Sequence, residues 1–164
     1  MEKAIKETFD IAQIDPGQYS PLALAYMGDC AYELVIRTLL LHKGNAPVDR
    51  LNRKASRLAK AETQAKIIME LQDELTEEEM TMYKRGRNAK SYTSAKNASI
   101  NDYRKATGLE ALLGWLYLKG DFERMMQLIR LGFEAIDADI IKTAESEDKR
   151  QKTETDSTPE VTAQ

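Results

Sequence analysis

Two carboxylates stand inside apolar, helix-like stretches: Asp29 in SPLALAYMGDCAYELVIRTLLL and Glu110 in TGLEALLGWLYL. An ionised acid in such a setting is costly unless a metal, a partner or water compensates it. Asp29 does not cap its helix. Ser20 and Pro21 read as N-cap and first-turn proline, so Asp29 lies well inside, where a short polar side chain lowers helix propensity and caps nothing. The chemistry open to such a pair is oxygen ligation of Mg²⁺, with water and phosphate completing the octahedron. A metal so held lowers the pKa of bound water and stabilises charge on a phosphodiester in the transition state. The competing reading is that each acid pairs with a buried Arg, Tyr or backbone group. Glu33, one turn after Asp29 on the same face, is either a second acid or an ion-pair partner for Arg37.

Other chemistries find little support. A carboxylate-bridged di-iron bundle needs Glu-x-x-His pairs, and His42 is the only histidine. Zinc needs Cys/His sets that are absent, and no Gly-rich loop leads into a Lys-Ser/Thr helix start. Cys30, within the apolar helix, reads as core packing.

Basic residues are concentrated in two places. Residues 50–60 hold Arg50, Arg53, Lys54, Arg57 and Lys60 without an acid, and residues 84–96 hold Lys84, Arg85, Arg87, Lys90 and Lys96 without an acid. The second segment, KRGRNAKS onward, reads as a loop through Ala98, able to lay guanidinium and backbone N–H groups along phosphates, with Asn88 among the donors. The bland alternative is a solvated loop with incidental charge. Arg53, Arg57 and Lys60 share one helix face by their spacing.

The elements that must position these residues are all helical. Ala, Leu, Glu, Lys and Met dominate and β-branched alternation is absent, so the fold class is all-α. The spacing predicts a short helix within 1–13, a turn at Asp15-Pro16-Gly17, and a long helix over 21–42 closed by Gly44-Asn45. Pro47 opens a helical region to about Leu75. Thr76 with Glu79 forms a capping box for a short helix through Tyr83, and Ser99 with Asp102 resembles a second, opening a helix to about Leu118. After the turn Lys119-Gly120-Asp121, residues 122–142 make an amphipathic helix with the stripe Phe122, Met125, Met126, Ile129, Phe133, Ile136 and Ile140.

The 164 residues suit one domain over 1–142, followed by an acidic tail over 143–164 that is too polar to pack. That tail has six acids and three bases, which accounts for the net charge of −3 and leaves the body neutral. A neutral body with two basic segments suits an anionic partner. No apolar run is long enough for a membrane span, the first residues do not read as a basic-then-apolar leader with a small-residue cleavage site, and the lone Cys30 makes a reducing cytoplasm the expectation. The 21–42 helix carries Leu22, Leu24, Tyr26, Met27, Leu34, Val35, Leu39 and Leu40 around much of its circumference, which favours a homodimer built on it.

ALAYMGDCAYE resembles the signature segment of the ribonuclease III family, and LEALLGWLYL resembles its second acidic segment. With PLALAYMGD, KRGRNAKS and the short length, the closer resemblance is to Mini-ribonuclease III, the short bacterial form. The resemblance covers roughly residues 18–135 and implies a ribonuclease III endonuclease-like helical bundle. It implies a homodimeric Mg²⁺-dependent endoribonuclease that cuts double-stranded RNA, leaving 5′-phosphate and 3′-hydroxyl ends, in maturation of precursor 23S ribosomal RNA. Asp29 and Glu110 match the two acids of the metal site. Arg53, Arg57 and the segment Lys84, Arg85, Arg87, Asn88, Lys90 and Lys96 would grip the duplex by its backbone, since A-form RNA hides its base edges. Full-length ribonuclease III has two further acids, where this chain has Ala25 and Thr107, and a following double-stranded-RNA-binding domain; the short form is similar to this chain in lacking them. The alternative is a non-catalytic helical RNA-binding module on the same fold.

Overall fold

Ser20 accepts the Ala23 N–H at 3.1 Å and Pro21 occupies the first turn, so a helix starts there without an unsatisfied first turn. In the computed structural model, which describes residues 1–90 and 99–138, this helix is α2 (Pro21–His42), bounded as its sequence implies. It follows a short α1 (Glu2–Thr8) and a 3₁₀ turn over Pro16–Gln18, where Asp15 accepts the Gly17 N–H. The remaining helices are α3 (Val48–Ala59), α4 (Ala61–Glu70), a second 3₁₀ turn (Gln72–Glu74), α5 (Glu77–Arg87), α6 (Ile100–Lys119) and α7 (Phe122–Ala135). No strand occurs among the described residues, and no helix there is long and apolar enough to cross a membrane.

Three expectations need correction. The region after Pro47 is not one continuous helix. Lys60 has an extended ψ of 141° and separates α3 from α4. Side chains explain the break: Thr63 Oγ1 donates to the Arg57 carbonyl and Gln64 Nε2 to the Ala59 carbonyl. Those are the acceptors that a continuous helix would fill with N–H groups four residues on. Lys60 therefore does not continue the face of Arg53 and Arg57. Second, the capping box of Thr76 and Glu79 is present, but its helix runs past Tyr83 to Arg87. Lys84 to Arg87 are helical rather than loop, because α5 packs closely on α6: a Cβ on Gly86 would meet Ala111 Cβ at 2.5 Å and the Thr107 carbonyl oxygen at 2.8 Å. Third, α7 ends at Ala135, with Asp137 at a φ of +49°. Its stripe includes the fully buried Leu128, whereas Met126 is exposed. The expected Ile140, the loop residues 91–98 and the tail boundary at 142 lie outside the described residues.

The core forms around α6. Residues Ala106 to Leu109 and Ala111 to Leu116 are all buried, and a helix apolar on all sides must be central. α2, α4 and α5 pack around it. Arg124 ties α7 to the start of α5, bidentate to buried Glu79 at 2.7 and 2.9 Å and donating to the Glu74 carbonyl.

The crossing of α2 and α6 matters most. A Cβ on Gly28 would lie 1.8 Å from the Glu110 carbonyl oxygen, and one on Gly114 would lie 1.9 Å from that of Leu24. The two helices thus touch backbone to backbone. Asp29 follows the first contact glycine and Glu110 precedes the second by one turn.

Candidate active site

Asp29 stands at the rim of α2. Ala25 and Tyr32, on the turns before and after it, are buried, while Asp29 itself is exposed. The apolar appearance of its stretch suggested deeper burial; the helix turns this one position outward. Cys30 likewise is exposed rather than packed in the core. Partial burial raises the Asp29 pKa, and the charge of Glu33 adds to it. Glu33 itself is held by Arg37, whose Nε donates to it at 3.1 Å and whose Nη2 also contacts it. The ion-pair reading of Glu33 is therefore the one realised.

Glu110 is half-buried across from it on α6. Burial pushes its pKa up to about 7; the Gln64 amide, donating to Oε1 at 3.0 Å, pulls the other way, and the charge of Asp29 pushes up again. Tyr32 lies under the same site. Its hydroxyl donates to the Leu58 carbonyl at 3.2 Å, and burial, then the charge of Glu110, hold it as a neutral phenol.

No cationic side chain pairs with Asp29 or Glu110 among the described residues. The buried-Arg alternative for these acids finds no partner there. Two mutually repelling carboxylates, one half-buried and neither neutralised, form a hard oxygen donor set that fits a divalent cation such as Mg²⁺. The described residues offer no third His, Cys, Asp or Glu to make a larger ligand group, so water or substrate oxygens would complete the shell.

A stability prediction follows from Glu110. Its folded-state pKa lies above the ordinary 4.5, so the folded chain binds its proton more tightly than the unfolded one. That contribution is fully present below about pH 4.5 and is lost as pH rises through about 7. We expect Glu110→Gln to remove this loss, worth roughly 2 kcal/mol once partial exposure is allowed for. In metal-free buffer the variant should gain Tm over the parent at pH 8 and little at pH 4. An equal Tm difference at both pH values would contradict the shifted carboxyl.

The basic residues divide. Lys84, Asn88 and Lys90 are exposed, as are Arg53 and Arg57 on α3. Arg87 is half-buried, its Nε donating to Asn88 Oδ1 and its guanidinium 5.8 Å from the Tyr83 ring centroid. Arg85 departs from expectation: it donates to the Gly17 and Tyr19 carbonyls at 3.0 and 3.1 Å and braces the segment before α2. Lys96 lies outside the described residues. Sequence reasoning missed Gln64. Its only signal was a polar residue on the apolar face of α4, at the i+3 position between Ala61 and Ile68.

A family model for the ribonuclease III domain matches residues 22–121, from the start of α2 to the turn after α6, with both acids inside. The chain is 48% identical over 118 residues to a Mini-ribonuclease 3 of Clostridium tetani, covering 71% of this chain and 78% of that one. It is 43% identical over 125 residues to a Mini-ribonuclease 3 of Brevibacillus brevis, covering 76% and 93%. A crystal structure of a Fusobacterium nucleatum protein superposes with a TM-score of 0.65 at 31% identity, covering 71% of this chain and 93% of that one.

Proposed function

The chain belongs to the ribonuclease III family and is an endoribonuclease, and on that premise we propose that it cuts double-stranded RNA at a Mg²⁺ site held by Asp29 and Glu110. The observation that carries this reading is the backbone contact of α2 and α6, which brings together, at the edge of an apolar core, two acids that have no cationic partner among the described residues. When bound, Mg²⁺ supplies Lewis-acid stabilisation of phosphodiester charge and a more acidic water. Burial works against the charged form of Glu110, and Gln64 favours that form by donating to it. Asp29, at the solvent rim, is open to an incoming backbone phosphate. Cleavage would leave 5′-phosphate and 3′-hydroxyl ends. Precursor 23S ribosomal RNA in a bacterial cytoplasm is the substrate and setting that the Mini-ribonuclease III resemblance supports. Incubation with a long duplex RNA tests the reading: cuts should appear with Mg²⁺ and vanish with EDTA, and cutting in EDTA would refute it.

Lys84, Arg87, Asn88 and Lys90, with Arg53 and Arg57 and the sequence-assigned Lys96, are the phosphate-gripping set. Neutralising Lys84, Arg87 and Lys90 together is expected to weaken binding to every duplex sequence. The slope of log affinity against log salt should fall by roughly one for each phosphate that is no longer neutralised. An unchanged slope would reduce these residues to solvated surface. Arg85→Ala should instead lower Tm, since two carbonyls lose their donor.

The homodimer draws support from the outer face of α2. Leu22, Tyr26 and Leu34 are exposed at 41%, 80% and 45%, spaced as one stripe with Cys30. Two copies meeting through this stripe would bury it in an isologous contact of standard size, about 1,600 Å². Sedimentation at micromolar concentration should give twice the chain mass of 18.6 kDa, and Tyr26→Glu should shift it toward the monomer. A monomer in the parent protein would refute the arrangement.

A further inference from the structure

The Gln64 side chain is almost fully buried, at 1% exposure, on the apolar face of α4. Its Nε2 is shared between the Ala59 carbonyl at 3.1 Å and Glu110 Oε1 at 3.0 Å, so both amide hydrogens are engaged. Its Oε1 is buried with no hydrogen-bond partner among the described residues. A buried amide oxygen left unpaired is destabilising, because it gives up its water without gaining a hydrogen bond in return. Leucine or methionine at this position would avoid that cost and extend the stripe formed by Ala65 and Ile68. Packing alone therefore does not require glutamine.

We infer that Gln64 is the positioning residue for Glu110: its amide ties one carboxylate oxygen to the end of α3 and leaves the other, Oε2, oriented for a divalent cation. The inference rests on the metal-site reading above. Ala59 is a fixed anchor because the break at Lys60 leaves its carbonyl without a helical N–H: the Thr63 and Gln64 N–H groups both turn to the Lys60 carbonyl instead. Glu110 is thereby referenced to α3 and α4 as well as to its own helix. Without the amide, its side chain would have to surrender rotamer freedom at the moment of metal binding.

The experiment uses the whole chain without RNA. Mg²⁺ and Mn²⁺ affinities are measured by calorimetry well below Tm for the parent, Gln64→Met and Gln64→Leu, alongside Tm with and without metal. Both variants should fold and bind metal about 10–100-fold more weakly, the loss typical of removing a group that orients a metal ligand. The metal-induced rise in Tm should shrink accordingly. Should one variant fail to fold, the other gives the affinity. Parent-like affinity with only a lower metal-free Tm would overturn the inference and leave Gln64 as a plug for the α3–α4 break. If the parent itself takes up neither metal at millimolar concentration, the metal-site reading fails and this inference falls with it.

Discussion

Asp29→Asn is expected to slow cleavage of duplex RNA by about 10³-fold or more, corresponding to roughly 4 kcal/mol of lost transition-state stabilisation. The amide keeps the shape of the carboxylate but is a far poorer ligand for Mg²⁺. Folding should survive, because partial burial and then the charge of Glu33 raise the Asp29 pKa, and the exposed carboxyl has no ion pair among the described residues. Tm at neutral pH should stay the same or rise slightly. Single-turnover cleavage with saturating protein separates loss of chemistry from loss of binding. A variant cutting at the parent rate would remove Asp29 from the site. Glu110→Gln is the matched case on α6, with the same loss of cleavage expected alongside its gain in Tm at high pH.

Gly114→Ala is expected to damage both stability and cleavage, although alanine is about 1 kcal/mol the better helix former. The added Cβ would sit 1.9 Å from the Leu24 carbonyl oxygen and 2.8 Å from the Gly28 nitrogen. Both obstacles are backbone atoms of α2, so no side chain can swing away and the helices must separate. Overpacking of this kind costs about 1–3 kcal/mol or more, and each kcal/mol is worth roughly 2–4 °C in a domain of this size. A fall in Tm of about 10 °C is therefore expected, measurable by thermal unfolding. Cleavage should fall further than Tm implies, because separating α2 from α6 moves Asp29 away from Glu110. Gly28→Ala makes the same test from the other helix, with a contact of 1.8 Å to the Glu110 carbonyl oxygen. Parent-like stability in both variants would contradict a backbone-to-backbone crossing.

Much of this molecule was legible in its sequence because the determinants are local. A serine before a proline starts α2, a Thr76–Glu79 box starts α5, Ser99 starts α6, and Gly120 at a φ of +80° ends it. Each of these signals acts within one helical turn of itself. The two acids stood out for the same reason, as polar residues breaking a local apolar pattern, and the motifs around them carried the family.

Tertiary structure decided what depends on partners far along the chain. Arg85 looked like a free phosphate ligand, yet its acceptors Gly17 and Tyr19 lie 68 and 66 residues away. Gln64 looked ordinary beside its neighbours, yet it holds Glu110 across 46 residues. Basic charge at Lys84–Arg87 reads as loop by composition, but Gly86 fits against Thr107 and Ala111 of α6 and keeps the segment helical. The orientation of α2 was also a tertiary outcome. Its apolar residues surround the helix, so periodicity alone could not say that Leu24 and Ile36 turn inward while Tyr26 and Cys30 turn out. That choice was made by Gly28 and Gly114, the two places where the backbones of α2 and α6 can touch, and it is what sets Asp29 beside Glu110.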